Sequence, residues 1–250
     1  AGSRYLDAAG TVYNTDTAGM FAPNGEYYRM QKVEDSYFSD ALFIGDSRTD
    51  GLADYGGMKG MTTFFAKDAL SIYQIWDQKA ELRDVDGGGE TVELLILLSQ
   101  KSYRKIYLSL GINELGVPAT TAFYEKYRSV LETIRGLQPD AIIYIEGIMH
   151  VAKEKSASDP AFNNTVIVQR NQAIATLANG HDIFYIDMNS AVCDENGDIP
   201  KEGSGDGVHL KASWYPKWHE FLLENAIVRS PADNSGGAPG VKETAAGEQG

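Results

Sequence analysis

The sequence predicts an α/β protein, a three-layer α/β/α sandwich built around one parallel sheet. Short apolar runs alternate with longer amphipathic segments along the chain, and this alternation is typical of parallel strands joined by covering helices. The short runs are rich in β-branched and aromatic residues, as buried parallel strands are. The 250 residues are 43% hydrophobic and 23% charged, an ordinary composition for one domain of this class.

Five runs are predicted as the strands of the sheet. In chain order they are 41–45 (ALFIG), 61–66 (MTTFFA), 105–111 (KIYLSLG), 141–148 (AIIYIEGI) and 182–187 (DIFYID). In open parallel sheets the functional site lies at the carboxyl ends of the strands. Residues that follow these runs are therefore the first candidates for chemistry.

Five segments outside these runs are predicted as helices, at about 70–82, about 91–102, 119–136, 162–179 and 213–227. The clearest pattern is in 124–137, where apolar residues from Tyr127 to Ile134 form one stripe and Gly136 can end the helix. Residues 91–100 (TVELLILLSQ) are also compatible with a strand. A helix there fits a right-handed crossover into the third strand.

The two ends of the chain differ from its middle. Residues 1–40 are rich in Tyr, Asp and Gly without clear periodicity, and we expect an irregular arm that packs on the domain. Residues 230–250 contain one valine as their only large apolar residue, too little apolar surface to offset chain entropy. That segment is predicted to be a disordered tail, which leaves residues 41–229 as the main domain.

The charge and cysteine content exclude several classes. With 35 acidic and 22 basic residues, the net charge is -13, the wrong sign for a nucleic-acid or anionic-membrane binder. Cys193 is the only cysteine, so an internal disulfide and a cysteine-based metal cluster are both excluded. No run approaches the roughly 18 apolar residues of a membrane-spanning helix.

Ser47 directly follows the first predicted strand, in the segment ALFIGDSRTDGL. A serine there lies at the carboxyl edge of the sheet, where the N–H groups of a helix N-terminus favour developing negative charge. It is a candidate nucleophile. The alternative is that Ser47 only caps the following helix.

A serine nucleophile needs a base, and His209 is the histidine that fits best. It follows the last strand in GSGDGVHL, with Asp206 three residues before it. That spacing lets the carboxylate reach the imidazole, fix its tautomer and stabilise the imidazolium. Ser47, His209 and Asp206 can therefore form a catalytic triad.

The third predicted strand ends in LSLGINELG, which places Asn113 at the same edge of the sheet. An Asn amide is a suitable donor to a tetrahedral oxyanion, and Gly111 allows a close approach of the backbone. A turn residue is the alternative interpretation of Asn113.

Together, Gly-Asp-Ser after the first strand, Gly-x-Asn after the third and Asp-x-x-His before the last helix resemble the GDSL or SGNH hydrolases. These are serine esterases and lipases of flavodoxin-like fold, and the resemblance spans residues 41 to about 227. It implies the strand order 2-1-3-4-5. The roles it implies are nucleophile Ser47, base His209, orienting carboxylate Asp206, and oxyanion donors Ser47 N–H and the Asn113 amide.

Three positions depart from the family pattern. The second block normally supplies a glycine N–H to the oxyanion hole, yet FFAKDALSIYQIW has none. Ala69 is the expected replacement if its φ stays negative, with Ala66 and Lys67 as alternatives. The other two departures are Glu114 after Asn113 and Arg48 after Ser47.

Arg48 and Glu114 follow strands that are neighbours in the expected order. We therefore predict an ion pair between them across the edge of the site. The alternative is two separately solvated charges.

Trp214, close after His209, is a further candidate for the substrate pocket, since an aromatic face can stack on a sugar or hold an acyl chain. Packing of the last helix is its alternative role.

The sequence thus predicts a serine esterase that forms an acyl-enzyme and needs no metal or organic cofactor. We expect short acyl groups, acetyl first, on small-molecule or carbohydrate esters. An acyltransferase with the same triad and a catalytically silent glycan-binding domain are the alternatives. An acidic chain without disulfides suits a bacterial secreted or cell-surface protein as well as a cytoplasmic one, and the former is the expected location.

Overall fold

A five-stranded parallel sheet forms the centre of the protein. The computed structural model describes residues 4–6, 12–14, 28–83, 88–116 and 119–242. The strands are β1 (Ala41–Gly45), β2 (Thr63–Ala66), β3 (Lys105–Ser109), β4 (Ile142–Glu146) and β5 (Ile183–Ile186). Their order is β2-β1-β3-β4-β5, and every neighbouring pair is parallel. The predicted fold class and strand order are confirmed.

Helices cover both faces of the sheet. They are α1 (Ser47–Tyr55), α2 (Leu94–Gln100), α3 (Thr120–Leu137), α4 (Lys153–Ser158), α5 (Asn164–Ala175), α6 (Asn189–Val192) and α7 (Tyr215–Glu224). One core joins the sheet to α2, α3 and α5, and a second core joins it to α1, α6 and α7. None of the described helices has the length and hydropathy that crossing a membrane requires.

A row of aromatic rings crosses all five strands in the second core. It consists of Phe64, Phe43, Tyr107, Tyr144 and Phe184, in the spatial order of the strands. Phe43 and Tyr107 stack with ring centroids 4.3 Å apart, and Tyr107 and Tyr144 stack at 4.4 Å. Because a one-residue slip would turn a ring to the opposite face, this aromatic row fixes the strand register.

The helix predicted at 70–82 is wrong. The chain makes turns there and then the short strand Lys79–Glu81, which pairs antiparallel with Thr91–Glu93. The turns are held by tertiary hydrogen bonds, such as the one that the Ile72 N–H donates to the Glu114 carboxylate. These bonds replace the helical ones, because tertiary contacts override local propensity.

The segment that was compatible with either a strand or a helix contains both, since Thr91–Glu93 leads directly into α2. Four single-turn 3₁₀ helices complete the described structure, at Asp35–Phe38, Ile112–Glu114, Ala212–Trp214 and Pro231–Asn234. The sequence did not predict these turns, nor α4 and α6, because segments this short carry too little periodicity.

Part of the predicted N-terminal arm packs on the domain. The Val33 N–H donates to the Leu223 carbonyl at 2.8 Å, and the Tyr37 and Phe38 rings are fully buried. Of the earlier residues, Arg4–Leu6 and Val12–Asn14 form an antiparallel pair. The rest of the arm before residue 28 lies outside the described residues.

The predicted disordered tail is wrong over residues 230–242. Polar contacts order this segment in place of apolar burial. Asp233 is buried, forms an ion pair with Arg104 and accepts N–H groups of its own turn. Gly240–Val241 pairs antiparallel with Lys101–Ser102. The remainder of the predicted tail lies outside the described residues.

Candidate active site

The chain turns sharply from β1 into α1 at the carboxyl edge of the sheet. Asp46 is the N-cap of α1, because its carboxylate accepts the Arg48 N–H at 2.9 Å. Ser47 is the first residue of the helix. The alternative interpretation of Ser47 as the cap is therefore wrong, and its hydroxyl is available for other contacts.

Gly45 allows α1 to begin this close to the sheet. A Cβ at this position would lie 1.9 Å from Thr49 Oγ1 and 2.9 Å from the Ser109 carbonyl oxygen. Both distances are far below van der Waals contact. The glycine of Gly-Asp-Ser thus lets the first turn of α1 approach β1 and β3.

The structure brings Ser47, His209 and Asp206 into one hydrogen-bonded chain. Ser47 Oγ lies 2.9 Å from His209 Nε2. On the other side of the ring, His209 Nδ1 lies 2.7 Å from Asp206 Oδ2. These are the contacts that a nucleophile, a base and an orienting carboxylate require.

Asp206 is held as an anion by its donors. Although burial alone would raise its pKa, hydrogen bonds from the His209 ring and from the His209 and Val208 N–H groups hold the pKa of Asp206 well below its usual range. The carboxylate is therefore charged at neutral pH, when it can stabilise an imidazolium on His209.

Ser204 organises the loop that carries the base and was missed by sequence reasoning. Its hydroxyl donates to the His209 carbonyl at 2.6 Å and accepts the Gly207 N–H at 2.9 Å. The Gly207 carbonyl in turn accepts the N–H of Ala152, just before α4. The hydroxyl also lies 3.3 Å from Asp206 Oδ1. Because its closer partners are backbone groups, which any residue type offers, no sequence signal could have identified Ser204.

Asn113 lies after β3 and contacts the loop after β2. Its Nδ2 donates to the Leu70 carbonyl at 2.9 Å. Gly111 precedes it with φ of 138°, and a Cβ there would lie 2.4 Å from Ile148 Cδ1. The positive φ and the lack of space for a Cβ both require a glycine at 111. The turn at this glycine directs Asn113 towards the loop after β2.

Ala69 has a left-handed backbone, with φ of 57°, and no other non-glycine residue in the described part of the chain has a positive φ. The expectation of a negative φ is wrong. A left-handed backbone favours glycine, the residue that the family pattern supplies in this block. Of the alternatives, Lys67 donates its N–H to the Gly45 carbonyl and Ala66 lies within β2. Ala69 remains the candidate donor.

The predicted ion pair between Arg48 and Glu114 is wrong, as is the alternative of two solvated charges. Both side chains are buried, each 3% exposed. The Arg48 guanidinium donates to backbone carbonyls, including that of Val208. Glu114 accepts the Ile72 N–H, and burial raises its pKa to about 7. Glu114 thus anchors the loop after β2.

Trp214 is half-buried and already has partners. Its Nε1 donates to the Val192 carbonyl at 3.1 Å, and the Lys217 ammonium lies 3.7 Å from its ring centroid. Trp218 is fully buried, and its Nε1 donates to Glu146 at 2.9 Å. These contacts assign Trp218 to the core and leave Trp214 with one ring face covered by a cation.

Comparison with known proteins identifies the family. The sequence profile of the GDSL-like Lipase/Acylhydrolase family matches residues 43–215, a span that contains Ser47, Asn113 and His209. The chain belongs to this family. It is accordingly an ester hydrolase. No match was found among curated protein sequences.

Solved structures share the fold of this acylhydrolase. A Streptococcus pneumonia protein provisionally described as a platelet activating factor is 21% identical, with a TM-score of 0.56 over 74% of this chain and 82% of its own. A GDSL-like lipase from Bacteroides thetaiotaomicron is 13% identical, with a TM-score of 0.52 over 76% and 88%. A member of the lipolytic G-D-S-L family from Veillonella parvula is 16% identical, with a TM-score of 0.53 over 74% and 96%.

Proposed function

We propose that this acylhydrolase is a serine esterase that works through an acyl-enzyme. The hydrogen-bonded chain from Ser47 through His209 to Asp206 carries the proposal. Ser47 Oγ attacks the ester carbonyl carbon while His209 Nε2 takes its proton. His209 then gives that proton to the departing alcohol, which leaves the acyl group on Ser47.

Water completes the cycle. His209 removes a proton from a water molecule, the resulting hydroxide attacks the acyl carbonyl, and the free acid leaves as Ser47 Oγ recovers its proton. Asp206 holds the ring and stabilises the imidazolium in both halves. The proposed donors to the oxyanion are the Asn113 amide and the N–H groups of Ser47 and Ala69.

A short acyl group is the proposed specificity. The large apolar side chains that are exposed in the described residues are Tyr55, Leu95, Ile96, Val168 and Val241. None of them belongs to the loops that follow β1, β2 and β3 or to the loop that carries His209. A long acyl chain would need apolar surface in those loops, so acetyl is the first candidate and acetylated carbohydrates are the first natural esters to test.

The test is release of p-nitrophenol from acetyl, butyryl and octanoyl esters at neutral pH, with Ser47→Ala as the control. We expect the rate to fall with acyl length and to be lost in Ser47→Ala, because the variant lacks the hydroxyl that receives the acyl group. Acetyl transfer to Ser47, detected by mass spectrometry of the intact protein, would support the acyl-enzyme. Equal rates in the variant would exclude Ser47 as the nucleophile.

An added alcohol separates hydrolysis from acyl transfer. If the enzyme hydrolyses, free acetate remains the main product as the alcohol concentration rises. If a new ester accounts for most of the released acyl groups, the same triad serves a transferase.

A further inference from the structure

Arg48, the residue after the nucleophile, places a buried cation between two loops of the site. Its Nε and Nη2 donate to the Val208 carbonyl at 3.1 and 2.9 Å. Its Nη1 donates to the Met149 carbonyl at 2.6 Å, and Nη2 also reaches the His150 carbonyl at 3.4 Å. One side chain thus binds the backbone of two segments.

These segments matter because of what adjoins them. Val208 immediately precedes His209, and Arg48 immediately follows Ser47. Met149 and His150 lie just beyond the carboxyl end of β4. The guanidinium therefore links the peptide next to the base with the residue next to the nucleophile, and it ties both to the edge of the sheet.

A guanidinium suits this place for a geometric reason. Its planar fork carries five N–H donors and can serve carbonyls on both sides, whereas a lysine ammonium acts as a point charge on a flexible stem. Among the described residues no carboxylate forms a salt bridge with this side chain, and burial lowers the pKa of Arg48 despite the nearby charge of Asp46. Burying a cation costs stability. The hydrogen bonds that the guanidinium donates to the two loops offset part of this cost.

We propose that Arg48 is a positioning residue that holds His209 within hydrogen-bond distance of Ser47 by fixing the Val208 peptide. The inference rests on the proposed function, since it assumes that a proton passes from Ser47 to His209 during catalysis. Without the guanidinium the loop that carries the base loses two hydrogen bonds to α1. A displacement near 1 Å at a reacting group lowers the rate about 100-fold.

The test compares Arg48→Met with Arg135→Met. Arg135 is a matched control because its guanidinium also binds backbone carbonyls, those of Gln138, Pro139, Ala141 and Asp182. These carbonyls lie before β4 and β5, at the amino edge of the sheet, away from the site. Both variants remove several bonds to backbone carbonyls, and Arg135→Met also removes an ion pair with Asp182, but only the Arg48 bonds adjoin the base.

We expect kcat to fall about 100-fold in Arg48→Met with KM nearly unchanged, because the Arg48 side chain is buried against backbone carbonyls. Arg135→Met should lower the melting temperature and leave kcat unchanged. The low-field proton resonance of His209 Nδ1–H should persist in Arg48→Met, because Asp206 and His209 lie in one loop and move together.

Three outcomes separate the possibilities. If the unmodified enzyme hydrolyses no ester, the proposed function fails. If it does and the kcat of Arg48→Met equals that of Arg135→Met, the positioning role is overturned. Should Arg48→Met not fold, Arg48→Lys keeps the charge and loses the fork, and an unchanged kcat in that variant would equally overturn the role.

Discussion

Asp206 uses its two carboxylate oxygens for different tasks. Oδ1 accepts the N–H groups of Val208 and His209, both at 2.8 Å, and so shapes the loop. Oδ2 accepts from the His209 ring at 2.7 Å. Loop conformation and ring orientation therefore depend on one side chain, yet on separate atoms of it.

Replacing Asp206 by Asn separates these tasks. The Asn oxygen can keep the backbone bonds, while its NH₂ group faces His209 Nδ1 and favours the wrong tautomer of the ring. We expect kcat to fall by about 10⁴, as in a serine-protease triad with this change, and the melting temperature to change little. Asp206→Ala is the comparison, since it should lose both activity and stability. An Asp206→Asn variant with near-normal kcat would contradict the assignment.

The sequence predicted the residues whose side chains react. It did not predict the roles of the side chains that bind backbone groups and so position the loops. Ser47, Asp206 and His209 have recognisable spacing, and the structure brings them together. Arg48 binds carbonyl groups of residues that are remote in sequence, and Ser204 binds backbone groups within its own loop. No residue pattern encodes such partners, so the pairing predicted for Arg48 followed charge alone and was wrong.

At the scale of elements, the start of α1 depends on Gly45, which has no Cβ. A Cβ on Gly45 would overlap Thr49 Oγ1 and approach the Ser109 carbonyl. We expect Gly45→Ala to lower the free energy of unfolding by about 1–3 kcal/mol, the usual cost of overpacking. Urea denaturation measures this change. Because α1 begins with Ser47, kcat should fall as well.

Gly136→Ala is the control for that experiment. Gly136 lies within α3, and an added Cβ there meets no atom within 4 Å. Alanine is favoured over glycine in a helix interior by about 0.5–1 kcal/mol. Gly136 lies in the last turn of α3, where the preference is smaller, so this variant should be no less stable than the unmodified protein. A Gly45→Ala variant as stable as Gly136→Ala would show that α1 does not need its close approach to the sheet.

Elements with strong periodicity were predictable, and those shaped by tertiary bonds were not. All five strands and α3 lie within a few residues of their predicted bounds. The helix predicted at 70–82 is absent because Asn113 and Glu114, from the loop after β3, bind the backbone of that segment. The residue pattern of the segment itself does not predict hydrogen bonds to residues that are remote in sequence.

For the molecule as a whole, buried carboxylates set the pH dependence of stability. Glu146 on β4 is fully buried, and only one of its oxygens has a hydrogen-bond partner among the described residues, the Trp218 ring. Burial raises the pKa of Glu146 to about 8 and that of Glu114 to about 7. Folding therefore favours the protonated form of both groups.

The sign of the effect follows from these shifts. A carboxyl whose pKa is raised on folding stabilises the protein fully below its unfolded pKa of about 4.5, and this contribution is lost as the pH rises through the folded value. We expect the free energy of unfolding to decline between about pH 5 and about pH 9. Glu146→Gln should reduce the decline, because the amide does not ionise.

Chemical denaturation at several pH values checks this expectation. Exposed Glu220, on the helix that carries Trp218, offers the control Glu220→Gln, which should keep the decline of the unmodified protein. If Glu146→Gln also keeps it, Glu146 is not the group that titrates.

The extent of the ordered molecule was predicted less well than its sheet. Composition suggested a disordered tail from residue 230, because apolar content measures only one way to order a chain. Asp233 orders part of that segment through an ion pair and capping bonds. Polar anchoring of this kind depends on a partner, Arg104, that is remote in sequence.

The aromatic row has an optical consequence. Near-ultraviolet circular dichroism arises from aromatic side chains in fixed packing, and here the rings of Phe43, Tyr107 and Tyr144 stack across three adjacent strands with centroids 4.3 and 4.4 Å apart. Their spectrum reports on the registry of the strands whose ends carry Ser47 and Asn113. The near-ultraviolet spectrum of the unlabelled enzyme should therefore change when the strands beneath the site lose their packing.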